Sequence, residues 1–281
     1  MISLSLLMSS SLIHAQNLQR VFRRSVKDPG FSGVFKNLFQ RKYAEKIALK
    51  NLSFEIKEGS FTGLVGSNGA GKTTLLKMCS GLLHPSSGTL SVMGYSPSER
   101  KSDFLRSIGL VMGQKSQLWS DISARDSLEL FAAIYDIPKA EYKRRLDEML
   151  TLFNVTKLVG VQVRRLSLGE RMKFELIAAL LHKPRLLLLD EPTIGLDLIA
   201  KEAVRKFLTQ DLSKENVSVI LSSHDMEDIQ EVCDDLMIVA KGEMKYFGSM
   251  NDFGIKDEKF KTGVLKLISE DETTDSPEIG T

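Results

Sequence analysis

Between residues 66 and 73 the chain reads GSNGAGKT: a glycine, four residues, a second glycine, a lysine and a threonine. That spacing handles phosphate. Glycines let backbone N–H groups turn inward around phosphate oxygens with no Cβ in the way. A strand-like run, Phe61 to Val65, leads in, and helix formers from Leu75 onward lead out, so the positive end of a helix would also face the anion. Gly66, Ser67, Asn68, Gly69, Ala70, Gly71, Lys72, Thr73 and Thr74 are therefore the expected nucleotide loop. Lys72 is expected to reach the terminal phosphates, and the Thr73 hydroxyl to hold Mg²⁺.

A second group of residues fits the same chemistry. Leu186 to Leu189 is a continuous apolar run ending in Asp190 and Glu191, as a buried parallel strand would deliver carboxylates into a crevice. Asp190 can join the Mg²⁺ shell, and Glu191 can orient and deprotonate a water attacking the γ-phosphate. Ser167 and Glu170 have the S-x-x-E spacing of a capping box, which marks a helix start. His224 follows an apolar strand; taken alone it reads as a core or capping histidine.

The elements that must position these residues alternate. Strands are expected at residues 12–22, 47–56, 61–65, 89–93, 186–189, 217–221 and 236–239, and helices at 126–135, 139–153, 168–182, 200–212 and 226–233. Strands alternating with helices predict a mainly parallel, covered sheet, with a helical insertion over about residues 101–184. A basic insert spans about residues 23–46. Within it Phe31, Val34, Phe35, Leu38 and Phe39 recur at helical spacing, predicting a short amphipathic helix that lies on the chain's own sheet or touches a membrane. Residues 270–281 are polar and acidic without periodicity, the pattern of a disordered tail.

The whole chain has 281 residues, 42% hydrophobic and 26% charged, enough for a sizeable core. A net charge of +2 makes no case for a nucleic-acid partner. Cys79 and Cys233 match no metal spacing and read as reduced core thiols. No apolar run is long enough to span a bilayer. The first residues lack the basic start of a secretion signal, and Met8 is the expected initiator.

Taken together the motifs resemble the ATP-binding-cassette (ABC) ATPases over about residues 12–253. Walker A is GSNGAGKTT at 66–74, and the signature LSGGQ appears as LSLGE at 166–170. Walker B is LLLLDE at 186–191, the D-loop GLD at 195–197, and the switch histidine sits in SSHD at 222–225. The resemblance implies an α/β P-loop NTPase: a RecA-like parallel sheet core, an antiparallel β subdomain and an inserted helical signature subdomain. Residues 254–281 would form a C-terminal extension.

The resemblance also implies roles. Two cassettes would close head to tail around two ATP molecules, Ser167, Gly169 and Glu170 of one serving the nucleotide held by the other. His224 would sense the γ-phosphate, and Asp197 would couple the sites. Gln114 would touch Mg²⁺ and report to a membrane partner, with Gln117 a rival for that place. Phe22 or Tyr43 would stack on adenine. Leu168 departs from the first of the two glycines in LSGGQ, and Glu170 from its glutamine. The long insert and the phrase MGQKSQLW at 112–119 resemble single-cassette exporter subunits. The expected function is an ATPase peripheral to the cytoplasmic face of the cell membrane. It would pair as a homodimer and drive a separate multispan permease, through which it meets the membrane. The alternative is a regulatory or ribosome-associated cassette.

Overall fold

A strand buried on both faces reads as a mostly apolar run, and three buried segments here fit that pattern. β3 (Phe61–Val65), β6 (Leu186–Asp190) and β7 (Ser218–Ser222) form the middle of a six-stranded sheet. The computed structural model describes residues 11–26, 42–254 and 258–269. Among them the sheet order is β5-β6-β7-β3-β8-β9. β5 (Ile108–Met112) through β8 (Asp235–Ala240) run parallel, and β9 (Glu243–Ser249) closes one edge antiparallel.

The four leucines of β6 show how the two faces are used. Leu187 and Leu189 join a core with the signature-side helices; Leu186 and Leu188 join a second core under an antiparallel sheet. That second sheet has the order β2-β1-β4, from β1 (Ser11–Val26), β2 (Lys42–Lys57) and β4 (Ser87–Val92). Helix α1 (Lys72–Cys79) lies between the two sheets and buries Leu75, Leu76 and Met78 there.

On the other face lie α3 (Ala124–Ile134), α4 (Lys139–Leu152) and α5 (Leu168–Leu180), then α6 (Leu198–Lys206) and α7 (Met226–Val232). The short α2 (Ser102–Arg106) precedes β5, and α8 (Met250–Phe253) follows β9. No helix among the described residues is long and apolar enough to cross a membrane.

Three boundaries differ from the sequence reading. The helical insertion does not begin near residue 101: β5 is a core strand paired in parallel with β6, and the insertion runs from α3 to α5. Its five residues are too few for periodicity to declare. They lie tightly under α5, where a Cβ on Gly109 would sit 2.7 Å from the Ala179 carbonyl. The basic insert is not separate at its ends either. β1 and β2 continue as a ribbon, pairing Arg23 with Glu45 and Val26 with Lys42. Residues 27–41, with the expected amphipathic helix, lie outside the described residues, as does the tail from 270. Finally, α9 (Glu258–Ser269) buries Phe260 and Val264 in the main core, so the packed unit continues past residue 253.

Candidate nucleotide site

The loop from β3 to α1 needs its glycines. A Cβ on Gly66 would lie 2.1 Å from the Val239 carbonyl oxygen. Gly71 has φ +115°, and a Cβ there would meet Leu49 and the Ala48 carbonyl oxygen at 2.5 and 2.6 Å. Neither position accepts a side chain without moving backbone. Gly69, at φ +82°, has open space where a Cβ would point, on the cleft side.

Lys72 is 5% exposed and donates to the carbonyls of Gly66 (2.7 Å) and Ser67 (3.2 Å). Burial pulls its pKa down, and the nearby Glu191 and Asp190 carboxylates push the other way. An ammonium this buried, held only by neutral carbonyls, fits an incoming phosphate. The Thr73 hydroxyl donates to Asp190 Oδ2 at 2.8 Å, and Ser222 Oγ donates to Oδ1 at 2.7 Å. A threonine hydroxyl beside one aspartate is a donor set for Mg²⁺, which takes few protein ligands and completes its shell with phosphate and water. No cluster of three or more His, Cys, Asp or Glu among the described residues could hold a metal by itself.

Glu191 follows in left-handed backbone, φ +54°, a conformation that costs a non-glycine residue about 1 kcal/mol or more. Three contacts hold it. Its N–H donates to the Ser222 carbonyl (3.0 Å). Gly113 packs so closely that a Cβ there would sit 2.1 Å from the Glu191 carbonyl oxygen. The Gly113 N–H also donates to the Asp190 carbonyl (2.8 Å). The result is a Glu191 carboxylate with Oε1 2.7 Å from His224 Nε2, a distance at which the imidazole N–H donates.

A cleft of about 550 Å³ opens over this group, with Phe22, Asn68, Lys72, Thr73, Gln114 and Glu191 on its wall. Gln114 therefore faces the phosphate loop. Gln117 is committed elsewhere: its side chain donates to the Leu110 carbonyl and its N–H to Glu175 Oε1 at 3.0 Å. Phe22 is half-buried, with the Arg20 guanidinium 4.6 Å from its ring centre. The Tyr43 side chain lies outside the described residues.

The signature turn is elsewhere. Ser167 and Glu170 form the capping box at the start of α5, with Ser167 N–H to Glu170 Oε2 at 2.8 Å and Glu170 N–H to Ser167 Oγ at 3.3 Å. Leu168 leans over the D-loop, its Cδ2 2.9 Å from where a Cβ on Gly195 would be. Asp197 caps α6 through the Ala200 N–H at 2.8 Å. Ser167, Gly169 and Glu170 are absent from the described residues that line the nucleotide cleft. The sequence reading missed Ser222 and Gly113, which hold Walker B from strand and loop; neither carries a spacing signal.

Residues 49–194 match the ABC transporter family. The chain belongs to that family. As an ABC ATPase it binds and hydrolyses ATP, the cleft over Gly66–Thr74 fitting that substrate. It is 34% identical over 212 residues to the ABC transporter ATP-binding protein NatA of Bacillus subtilis, covering 75% of this chain and 86% of NatA. It is 33% identical to the linearmycin resistance ATP-binding protein LnrL of the same organism, covering 76% and 68%. Its fold matches the dimeric post-hydrolysis structure of the cassette MJ0796 bound to ADP and Pi. The TM-score is 0.68 at 21% identity, over 85% of this chain and 98% of that one.

Proposed function

We propose that this ABC ATPase is the motor subunit of an exporter, in which two copies close around ATP and drive a separate permease. One observation carries the dimer: P-loop residues, Gln114 and Glu191 line the cleft and His224 reaches that glutamate, while the exposed signature serine is not on its wall. On this reading the signature serves a second copy's site. Glu191 takes the proton of the attacking water, His224 holds that carboxylate at 2.7 Å, and Lys72 neutralises the phosphates. Thr73 and Asp190, with Gln114 beside them, would hold Mg²⁺, which when bound supplies charge neutralisation at the β- and γ-phosphates. Phe22 offers adenine the ring face away from Arg20.

A second groove of about 500 Å³ supports the permease. Leu82, Leu105, Leu110 and Ile134 give it apolar walls, and Arg100 and Arg106 line it as well. Leu82 and Ile134 are 48% and 61% exposed, and Trp119 packs on Phe131 of the same helix, α3. Exposed apolar side chains gathered at one groove mark a protein interface. The similarity to LnrL, a linearmycin resistance protein, supports export, and a permease partner sets the chain at the cytoplasmic face of the membrane.

The test is affinity purification of Glu191→Gln protein from native membranes with ATP present. The variant is expected to bind ATP, turn it over at least about a hundredfold more slowly, and bring down a stoichiometric multispan protein. Recovery with ribosomes or soluble partners alone would show a cassette with no transport role.

A further inference from the structure

The turn after Walker B and the switch loop meet at one buried carboxylate. Asp228, on α7, is 1% exposed. Its Oδ2 accepts from Ser223 Oγ at 2.7 Å and from the Thr193 hydroxyl, and its Oδ1 accepts from Arg205 Nε at 2.7 Å. Thr193 follows Glu191 by two residues, and Ser223 immediately precedes His224. Arg205, on α6, is itself 5% exposed and reaches on to Asp225 at 3.3 Å, just beyond His224. Ser223 Oγ also accepts from the Asp225 N–H at 3.0 Å, closing the network around the switch loop.

The arrangement has a mechanical consequence. The His224 side chain is 42% exposed, so packing of its ring does not set its place against Glu191. What is fixed is the backbone on either side of it, through Ser223 and Asp225. The same carboxylate oxygen that takes Ser223 also takes Thr193, so the two loops are referred to one atom. Hydrogen bonds to a buried, ion-paired carboxylate are short and strong, and partner removal there leaves an unmet charge.

We propose that Asp228 is a positioning residue for ATP hydrolysis: through Thr193 and Ser223 it holds the Glu191 and His224 loops in register, keeping imidazole and carboxylate within hydrogen-bond reach. The inference rests on the reading of Glu191 and His224 as the hydrolytic pair. Asp228 touches neither nucleotide nor attacking water. Its effect passes through the two hydroxyls in series, so cutting either one releases the register.

Thr193→Val and Ser223→Ala each cut one of these links and leave the Asp228–Arg205 pair in place, so they carry the test even if Asp228→Ala fails to fold. Steady-state turnover of the full chain would be measured beside affinity for a fluorescent ATP analogue. Each variant is expected to lower kcat about tenfold with Kd unchanged within about twofold. The double variant should lose no more than either single one. In a His224→Ala background each should add less than about a twofold loss. Wild-type kcat in either single variant overturns the inference. So does a full tenfold further loss in the double variant or on top of an impaired His224→Ala, since a merely structural contribution is independent of the switch. Wild-type turnover in His224→Ala would instead sink the underlying reading, and the inference with it.

Discussion

At the scale of single residues, burial sets protonation where the chain needs a fixed state. His182 stacks flat on Tyr135, with ring centres 3.8 Å apart and planes 5° from parallel, and its Nε2 lies 2.8 Å from the Ile108 carbonyl. Burial is the main cause of its lowered pKa; the Ile108 carbonyl opposes it and the Arg145 charge adds to it. The sign of the linkage follows. An unfolded chain takes up a proton on this histidine as pH falls through the ordinary 6.5, and the folded one resists. Stability therefore drops on acidification below that value. His182→Gln, which keeps an N–H for Ile108, should flatten that limb. Urea midpoints measured between about pH 8 and pH 5 give the answer; parallel curves for variant and wild type would remove His182 as the cause.

Elements place residues by close approach, and glycine shows where. Gly113 opens the loop that carries Gln114, and it presses on the Glu191 carbonyl. Gly113→Ala must push the Walker B turn by an ångström or so, and misplacement of that order costs catalysis more than binding. Its turnover should fall about a hundredfold while analogue affinity stays within a few-fold; equal losses in both would place the strain at the P-loop instead. The signature helix gives a milder test. Glu170 reaches back to the Ser167 N–H, so Glu170→Ala should lower stability by about 1 kcal/mol. Glu170→Gln keeps the capping geometry and should unfold at nearly the wild-type midpoint, as chemical denaturation would show. Much of this was legible beforehand, because P-loop spacing, capping boxes and leucine runs are local patterns. β5 was not, being five residues with a glycine, and β9 was not, since every residue of EMKYFGS is only partly covered and no alternation appears. The Asp228 network was hidden for another reason: its partners Thr193 and Arg205 lie 35 and 23 residues away, and only the parallel order of β6 and β7 brings them together.

For the whole molecule, the proposed pairing requires each copy to complete the other's site. The described cleft is lined by P-loop residues, Gln114 and Glu191, with His224 against that glutamate, and not by the signature. Ser167 is exposed at the start of α5, with the exposed side chains of Leu198 and Ile199, 74% and 83%, just beyond the D-loop on the neighbouring α6. A head-to-tail pair would cover these residues and supply each cleft with the other copy's serine. Complementation distinguishes this from a site built within one chain. Lys72→Ala spoils the P-loop and leaves the signature; Ser167→Arg blocks the signature and leaves the P-loop. Each alone should be inactive, because both sites of either homodimer carry the defect. Mixed in equal amounts and allowed to exchange, about half the dimers become mixed, each with one intact composite site, so turnover should recover to about a quarter of wild type. Phosphate release from the mixture, set against the sum of the two separate preparations, is the measurement. A mixture no more active than that sum would mean that Ser167 does not serve the partner's nucleotide, because no other pairing of these two defects restores a whole site.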